Sequence, residues 1–332
     1  MSSEIAPSMP SLVGRLAPSP TGAQHVGNAR TYLLAWLSIR SRGGQLILRV
    51  EDIDSPRIKP WATAQALDDL KWLGLDWDAG PDVGGPHQPY VQTERVALYH
   101  AALEQLKAAD RVYPCTCTRS DVAAAASAPH AGQEGPIYPR LCASRQAADA
   151  ATILDQPYSW RFRTTSAPRE YDDAIAGRQV CSVSEELGDF VVGKVDGSVS
   201  YQLAVVVDDH AMGVTEVVRG DDLIPSVFRQ CALYDFFGWT APSFGHVPLV
   251  VGADGRRLAK RHGDTRLAVL RDAGVPPERL IGLLAQSCGL RETAAPISAS
   301  DLLADFDLRR IPRSQFVFTE EMWSGLLADS VV

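Results

Sequence analysis

Apolar positions along the chain change period, and the changes mark out its elements. Leu12 to Leu16 is a short apolar run that predicts a β-strand. Pro18 to Gly22 cannot continue a strand or a helix and predicts a tight, shaped loop. From Val26 the spacing turns helical through Ala29, Leu33, Trp36 and Leu37, with Gly43-Gly44 as a stop. Leu46 to Val50 reads as a strand again and runs into the acidic cluster Glu51-Asp52-Ile53-Asp54. Strand, loop, helix and strand make a βαβ unit, whose ligands belong at the carboxyl ends of its strands. His25, Gly27 and the first free N–H groups would lie at the positive end of the helix, a favourable place for phosphate.

The same grammar recurs further on. A helix opening at Pro60 is expected to bury Trp61, Ala64, Leu67 and Leu70, and another to bury Val96, Tyr99, Leu103 and Leu106. Trp160 to Arg163 alternates like a strand, and Ser200 to Val207 reads as a buried strand capped by Asp208-Asp209-His210. Val214 to Val218 is a further strand that stops at Arg219-Gly220-Asp221-Asp222, ahead of a helix carrying Ile224, Val227, Phe228 and Cys231. A second βα unit predicts an α/β fold with a doubly wound parallel sheet, interrupted by an insertion. Helical spacing returns from Arg266 to about Leu290 and from Asp301 to Phe306, with Pro296 and Pro312 as breaks.

Composition narrows the class. A chain of 332 residues with 45% hydrophobic content supports real cores. No stretch approaches the roughly 20 apolar residues that span a bilayer, and no signal-peptide pattern opens the chain, which predicts a cytoplasmic protein without a membrane partner. The net charge of −8 carries no global field for nucleic acid, so RNA would have to meet a local patch. Such a patch exists in Arg256-Arg257-Leu258-Ala259-Lys260-Arg261, although a solvated basic loop reads the same way.

Six cysteines in a reducing compartment are free thiols or metal ligands more readily than disulfides. Cys115, Cys117 and Cys142 would suit three corners of a tetrahedral zinc site, with His130 or Tyr138 as the fourth; unligated thiols need no fourth partner.

Taken in order, these blocks resemble the class I glutamyl-tRNA synthetases. His25-Val26-Gly27-Asn28 is similar to the HIGH motif, and Arg257-Leu258-Ala259-Lys260-Arg261 to the KMSKS motif. Leu48 to Asp54 and Val217 to Asp222 match two blocks between them. The chain departs from KMSKS at Arg257 and Ala259, and from HIGH at Asn28. Its short tail after the basic loop and its Cys-x-Cys...Tyr-x3-Cys pattern resemble the short branch of the family that glutamylates queuosine in tRNA(Asp).

Residues 1–10 are Ser/Pro-rich without periodicity and read as a disordered or tag-like lead; after them the resemblance implies a Rossmann-type catalytic domain in two halves, 11–114 and 189–250. It implies a zinc-binding insertion at 115–188, and a KMSKS-like loop with helical C-terminal region at 251–332 lacking an anticodon-binding domain. The implied reaction is ATP-dependent, tRNA-independent activation of L-glutamate to glutamyl adenylate, then transfer to queuosine at the wobble position of tRNA(Asp). His25, Gly27, Asn28, Arg257 and Lys260 carry over to the ATP site. Arg15, Ser19, Glu51, Tyr201 and Arg219 carry over to glutamate, and Cys115, Cys117, Tyr138 and Cys142 to one structural zinc. Mg2+ is expected with ATP, and a monomer is expected. A truncated enzyme charging tRNA(Glu) and a catalytically silent RNA-binding relative are the alternatives.

Overall fold

The computed structural model describes residues 11–53, 58–125, 136–256, 258, 265–304 and 306–328. Arg257 and Lys260, together with His130, lie outside the described residues. The first unit is strand β1 (Val13–Leu16), helix α1 (Val26–Arg40) and strand β2 (Gln45–Leu48), with β1 and β2 parallel and Val13 opposite Gln45. Helix α1 buries all five of its expected apolar positions. It stops where Gly43 takes φ +67°, a left-handed conformation that glycine adopts without strain.

Helices α2 (Pro60–Trp72) and α3 (Val96–Ala108) follow. Helix α3 packs as its spacing predicts, but α2 is rotated. Its inward face is Ala62, Ala66, Asp69 and Leu70, while Trp61 is 52% exposed. The indole is the largest apolar side chain of the helix, yet it sits in the first turn, outside the stripe that Ala62, Ala66 and Leu70 draw.

A three-stranded antiparallel sheet comes next, from β3 (Val112–Cys115), β4 (Ser159–Phe162) and β7 (Phe190–Gly193). Helix α4 (Arg119–Ala125) and the hairpin β5 (Arg169–Asp173) with β6 (Gly177–Cys181) lie within the intervening chain.

The second parallel unit is β8 (Glu216–Gly220), helix α6 (Ile224–Phe237) and β9 (Ser243–Val247). It is preceded by helix α5 (Tyr201–Ala211). The segment expected to be a buried strand is therefore a helix. Leu203 to Val207 is buried on all sides against α3 and α6, so the apolar run carries no period by which to tell helix from strand. The two parallel units meet through β1 and β8, where Thr215 N donates to Val13 O at 2.8 Å. That seam is the middle of the doubly wound α/β architecture.

Strand β10 (Val250–Val251) pairs in parallel with β11 (Phe316–Val317). Between them the expected long helix is broken into α7 (Leu267–Asp272) and α8 (Pro277–Ser287), because Gly274 turns left-handed and Pro276 precedes the next helix. Ser300–Leu302 forms one 3-10 turn, and α9 (Glu320–Leu327) ends the described chain. The largest core joins α1 and β2 to α7 and α8, and a second joins α3, the antiparallel sheet, α5 and α6.

Candidate active site

The carboxyl ends of β1, β2 and β8 open into a cavity of about 550 Å³. Arg15, Ser19, His25, Gly27, Asn28, Glu51, Tyr201 and Arg219 all line it. The described residues expected at the ATP and glutamate sites are thus gathered in one place.

The α1 end of the cavity is built by its own cap. Gly27 N donates to His25 Nδ1 at 3.1 Å, and His25 N donates to Asn28 Oδ1 at 3.2 Å. An accepting Nδ1 leaves the proton of the neutral ring on Nε2. Asn28 therefore works in the cap itself, satisfying a backbone N–H that the helix cannot. Leu267 N donates to Gln24 O at 2.9 Å and Val26 N to Thr265 O at 3.2 Å, joining this loop to the far end of the basic loop. At the near end, Leu258 is buried and its N–H reaches Val250 O at 3.3 Å.

The opposite wall is a buried ion network. Arg49 holds Glu51 at 2.8 Å and Asp209 at 2.7 Å, and Asp209 lies 4.0 Å from Arg15 Nε. Asp208 accepts from Arg95 at 2.6 Å, Tyr99 at 2.8 Å and Gln92 at 3.0 Å. Burial pulls the Arg49 guanidinium downward, but Asp209, Glu51 and Asp208 together hold it above its usual value. For Arg15 burial wins over Asp209 and Glu51 and lowers it. A buried cation in this condition gains most from an arriving anion. A strand over Ser200 to Val207 would leave Asp208 and Asp209 as a polar cap at its end, whereas a turn of α5 presents them to the arginines.

Arg219 is held from several sides. Its Nε donates to His246 Nε2 at 3.1 Å, Nη1 to Tyr201 Oη at 3.2 Å, and Nη2 to Gln230 Oε1 at 3.0 Å and Leu223 O at 3.4 Å. Behind it, His246 Nδ1 and Asp173 Oδ2 are 2.5 Å apart. Burial lowers His246, and Arg219 adds to that against the pull of Asp173. Burial raises the Tyr201 hydroxyl. No spacing links Asp173, His246 and Arg219 in sequence, so only the fold reveals them as a chain.

A separate cluster sits on the antiparallel sheet. The sulfurs of Cys115, Cys117 and Cys142 lie within 4.8 Å of one another, with Cys117 and Cys142 3.6 Å apart. Tyr138 Oη is 3.3 Å from Cys115 Sγ and 3.7 Å from Cys117 Sγ. A tetrahedral ion with Zn–S near 2.3 Å sets sulfurs about 3.8 Å apart, close to the Cys117–Cys142 separation, so the three cysteines could hold a metal with Tyr138 beside them. Burial raises Cys117 to about 11. Burial also opposes ionisation of Cys142, but the Thr116 N–H, Tyr138, Cys117 and Arg145 outweigh it and bring it to about 7. Arg161 stacks 3.8 Å over the Tyr138 ring and donates to Cys115 Sγ at 3.3 Å, offsetting the charge that thiolates would gather.

Residues 11–321 match the family of class I tRNA synthetases (E and Q), catalytic domain. The Glutamyl-Q tRNA(Asp) synthetase of Rhodopirellula baltica is 54% identical over 85% of this chain and 86% of its own. That of Symbiobacterium thermophilum is 51% identical over 91% and 94%. A crystal structure of a glutamate tRNA ligase from Elizabethkingia meningosepticum in complex with its amino acid superposes with a TM-score of 0.81 at 29% identity, covering 96% of this chain and 69% of that one. The chain belongs to the class I tRNA synthetases of the glutamate and glutamine type. Within that class it is a member of the glutamyl-Q tRNA(Asp) synthetase family.

Proposed function

We propose that this protein activates L-glutamate with ATP, without tRNA, and passes the glutamyl group to queuosine at the wobble position of tRNA(Asp). The observation that carries the reading is the single cavity in which a helix N-terminus carrying His25 faces Arg15, Glu51 and Arg219. A glutamate carboxylate oxygen bonds to the α-phosphorus of ATP while the bond to pyrophosphate breaks. A nucleophile on queuosine then takes the acyl carbon and AMP leaves. His25, the amides at the start of α1 and Lys260 stabilise charge on the phosphates, and no side chain forms a covalent intermediate. Glu51 receives the ammonium of the substrate, and Arg15 and Arg219 its carboxylates. Glutamine offers an amide where a buried cation needs an anion, and a site built for such a partner rejects the analogue by roughly 10⁴ to 10⁵.

Cys115, Cys117, Tyr138 and Cys142 would hold one structural zinc, which when bound ties β3 to the chain that returns at Cys142. ATP enters as its Mg2+ complex, and a cytoplasmic site of action follows from the substrates.

Purified protein should exchange pyrophosphate into ATP with glutamate alone, and should load glutamate onto tRNA(Asp) bearing queuosine but not onto the unmodified form. Preference for tRNA(Glu) would overturn the transfer step, and tRNA-dependent exchange would overturn the first. Lys260→Ala should slow exchange by about 10² to 10³, the cost of one transition-state donor.

A further inference from the structure

We propose that His246 is a positioning residue for amino-acid recognition: its neutral ring, oriented by Asp173, fixes the plane of the Arg219 guanidinium and so sets the choice of a carboxylate over a carboxamide. The inference rests on the glutamate site proposed above.

The hydrogen bonds define the tautomer. Arg219 Nε can only donate, so His246 Nε2 must be the acceptor, which places the ring proton on Nδ1 facing Asp173 Oδ2. An imidazolium would set two donors against each other. Asp173 is itself held, its Oδ1 accepting from the amides of Ile175 at 3.0 Å, Ala176 at 2.8 Å and His246 at 3.0 Å. Both side chains of the pair are fully buried.

The consequence appears at the far end of the guanidinium. His246, Gln230, the Leu223 carbonyl and Tyr201 engage four of the five N–H donors, leaving one on Nη1. Tyr201 Oη accepts from Arg219, which frees its own proton for another acceptor. A ligand thus meets one guanidinium N–H and one phenol O–H, two donors whose directions are set from behind. A carboxylate accepts both. A carboxamide presents its NH2 to one of them, and the guanidinium cannot turn away while His246 and Gln230 grip it on different nitrogens.

Two variants separate the contacts. His246→Gln places an amide oxygen near the position of Nε2 and keeps an acceptor for Arg219. His246→Asn keeps a group near Nδ1 for Asp173 and loses that acceptor. In glutamate-dependent pyrophosphate exchange, H246N should raise the KM for glutamate by about tenfold or more, the worth of a hydrogen bond to a charged group. It should leave the KM for ATP unchanged and let glutamine compete better, while H246Q stays within about threefold of wild type, consistent with a retained charge-assisted bond. Equal effects of the two variants, or an equal rise in both KM values, would overturn the inference. Should either variant fail to fold, 15N NMR of the wild-type imidazole decides it, since a proton on Nε2 refutes the arrangement. A wild-type enzyme without glutamate-dependent exchange would instead sink the proposed function, leaving the tautomer to be judged on its spectrum.

Discussion

The ring of His25 is aimed by the residue two places along. With no side chain at Gly27, its N–H reaches His25 Nδ1; an added Cβ would lie 3.0 Å from His25 Cε1 and 3.4 Å from the Val250 Cβ, and the ring is the part able to yield. Gly27→Ala is expected to raise the KM for ATP and to lower the exchange rate by about tenfold, through misplacement rather than loss of a catalytic group. Unchanged ATP kinetics would show that the ring tolerates the methyl. Across the cavity, the Glu51 carboxylate proposed to receive the substrate ammonium also accepts from Arg49. Glu51→Gln should raise the KM for glutamate at least about tenfold and cost about 1–3 kcal/mol of stability, as removal of a buried charge partner does. Steady-state kinetics with glutamate varied and denaturant melts read the two separately.

Elements bring together what residue spacing leaves apart. Asp69 of α2 is capped by Arg271 of α7 at 2.6 Å, yet burial outweighs that ion pair and, with Asp68 and Asp272 nearby, raises its carboxyl to about 6. A raised folded pKa means stability present below the unfolded value of 3.8 and lost as pH rises through about 6. In Asp69→Asn, denaturant midpoints should therefore fall less between those two pH values than in wild type; parallel curves would show that the carboxyl ionises normally. Helix α1 was legible because its helical spacing is bounded by breakers on both sides, Pro18 to Gly22 before it and Gly43-Gly44 after it. Helix α5 was not, because its run of valines is enclosed on every side and suits either geometry. Read as a strand, the run leaves Asp208 and Asp209 as a polar cap and offers no reason why Arg49 can be buried. The rotation of α2 was hidden by Trp61, whose size suggests burial that its place in the first turn denies. Arg30 carries no signal in the sequence either: its buried guanidinium bridges Pro248 O at 2.7 Å and Ser287 Oγ at 3.1 Å, fastening α1 to both β9's exit and α8.

At the scale of the molecule, the cysteine cluster and the cavity belong to different sheets, which separates their failures. The chelated protein should give up about one zinc per chain and melt at a lower temperature, as structural zinc contributes directly to folding. Cys142→Ser should reproduce that loss by metal analysis, and a melt insensitive to chelator would argue for unligated thiols. Motif order made the site legible over most of the chain, while the side chains that hold its charges in place came from segments that only the fold brings near. The two ends of that order, the His25 loop and the segment Thr265 to Leu267 after the basic loop, are also joined by backbone hydrogen bonds around the His25–Arg266 bridge. The amides of Val26 and Leu267 point across the same join to Thr265 and Gln24. Neither can open to solvent alone without breaking the other's register, so in a hydrogen–deuterium exchange time course the two amides should lose protection together, and ATP should slow both by the same factor.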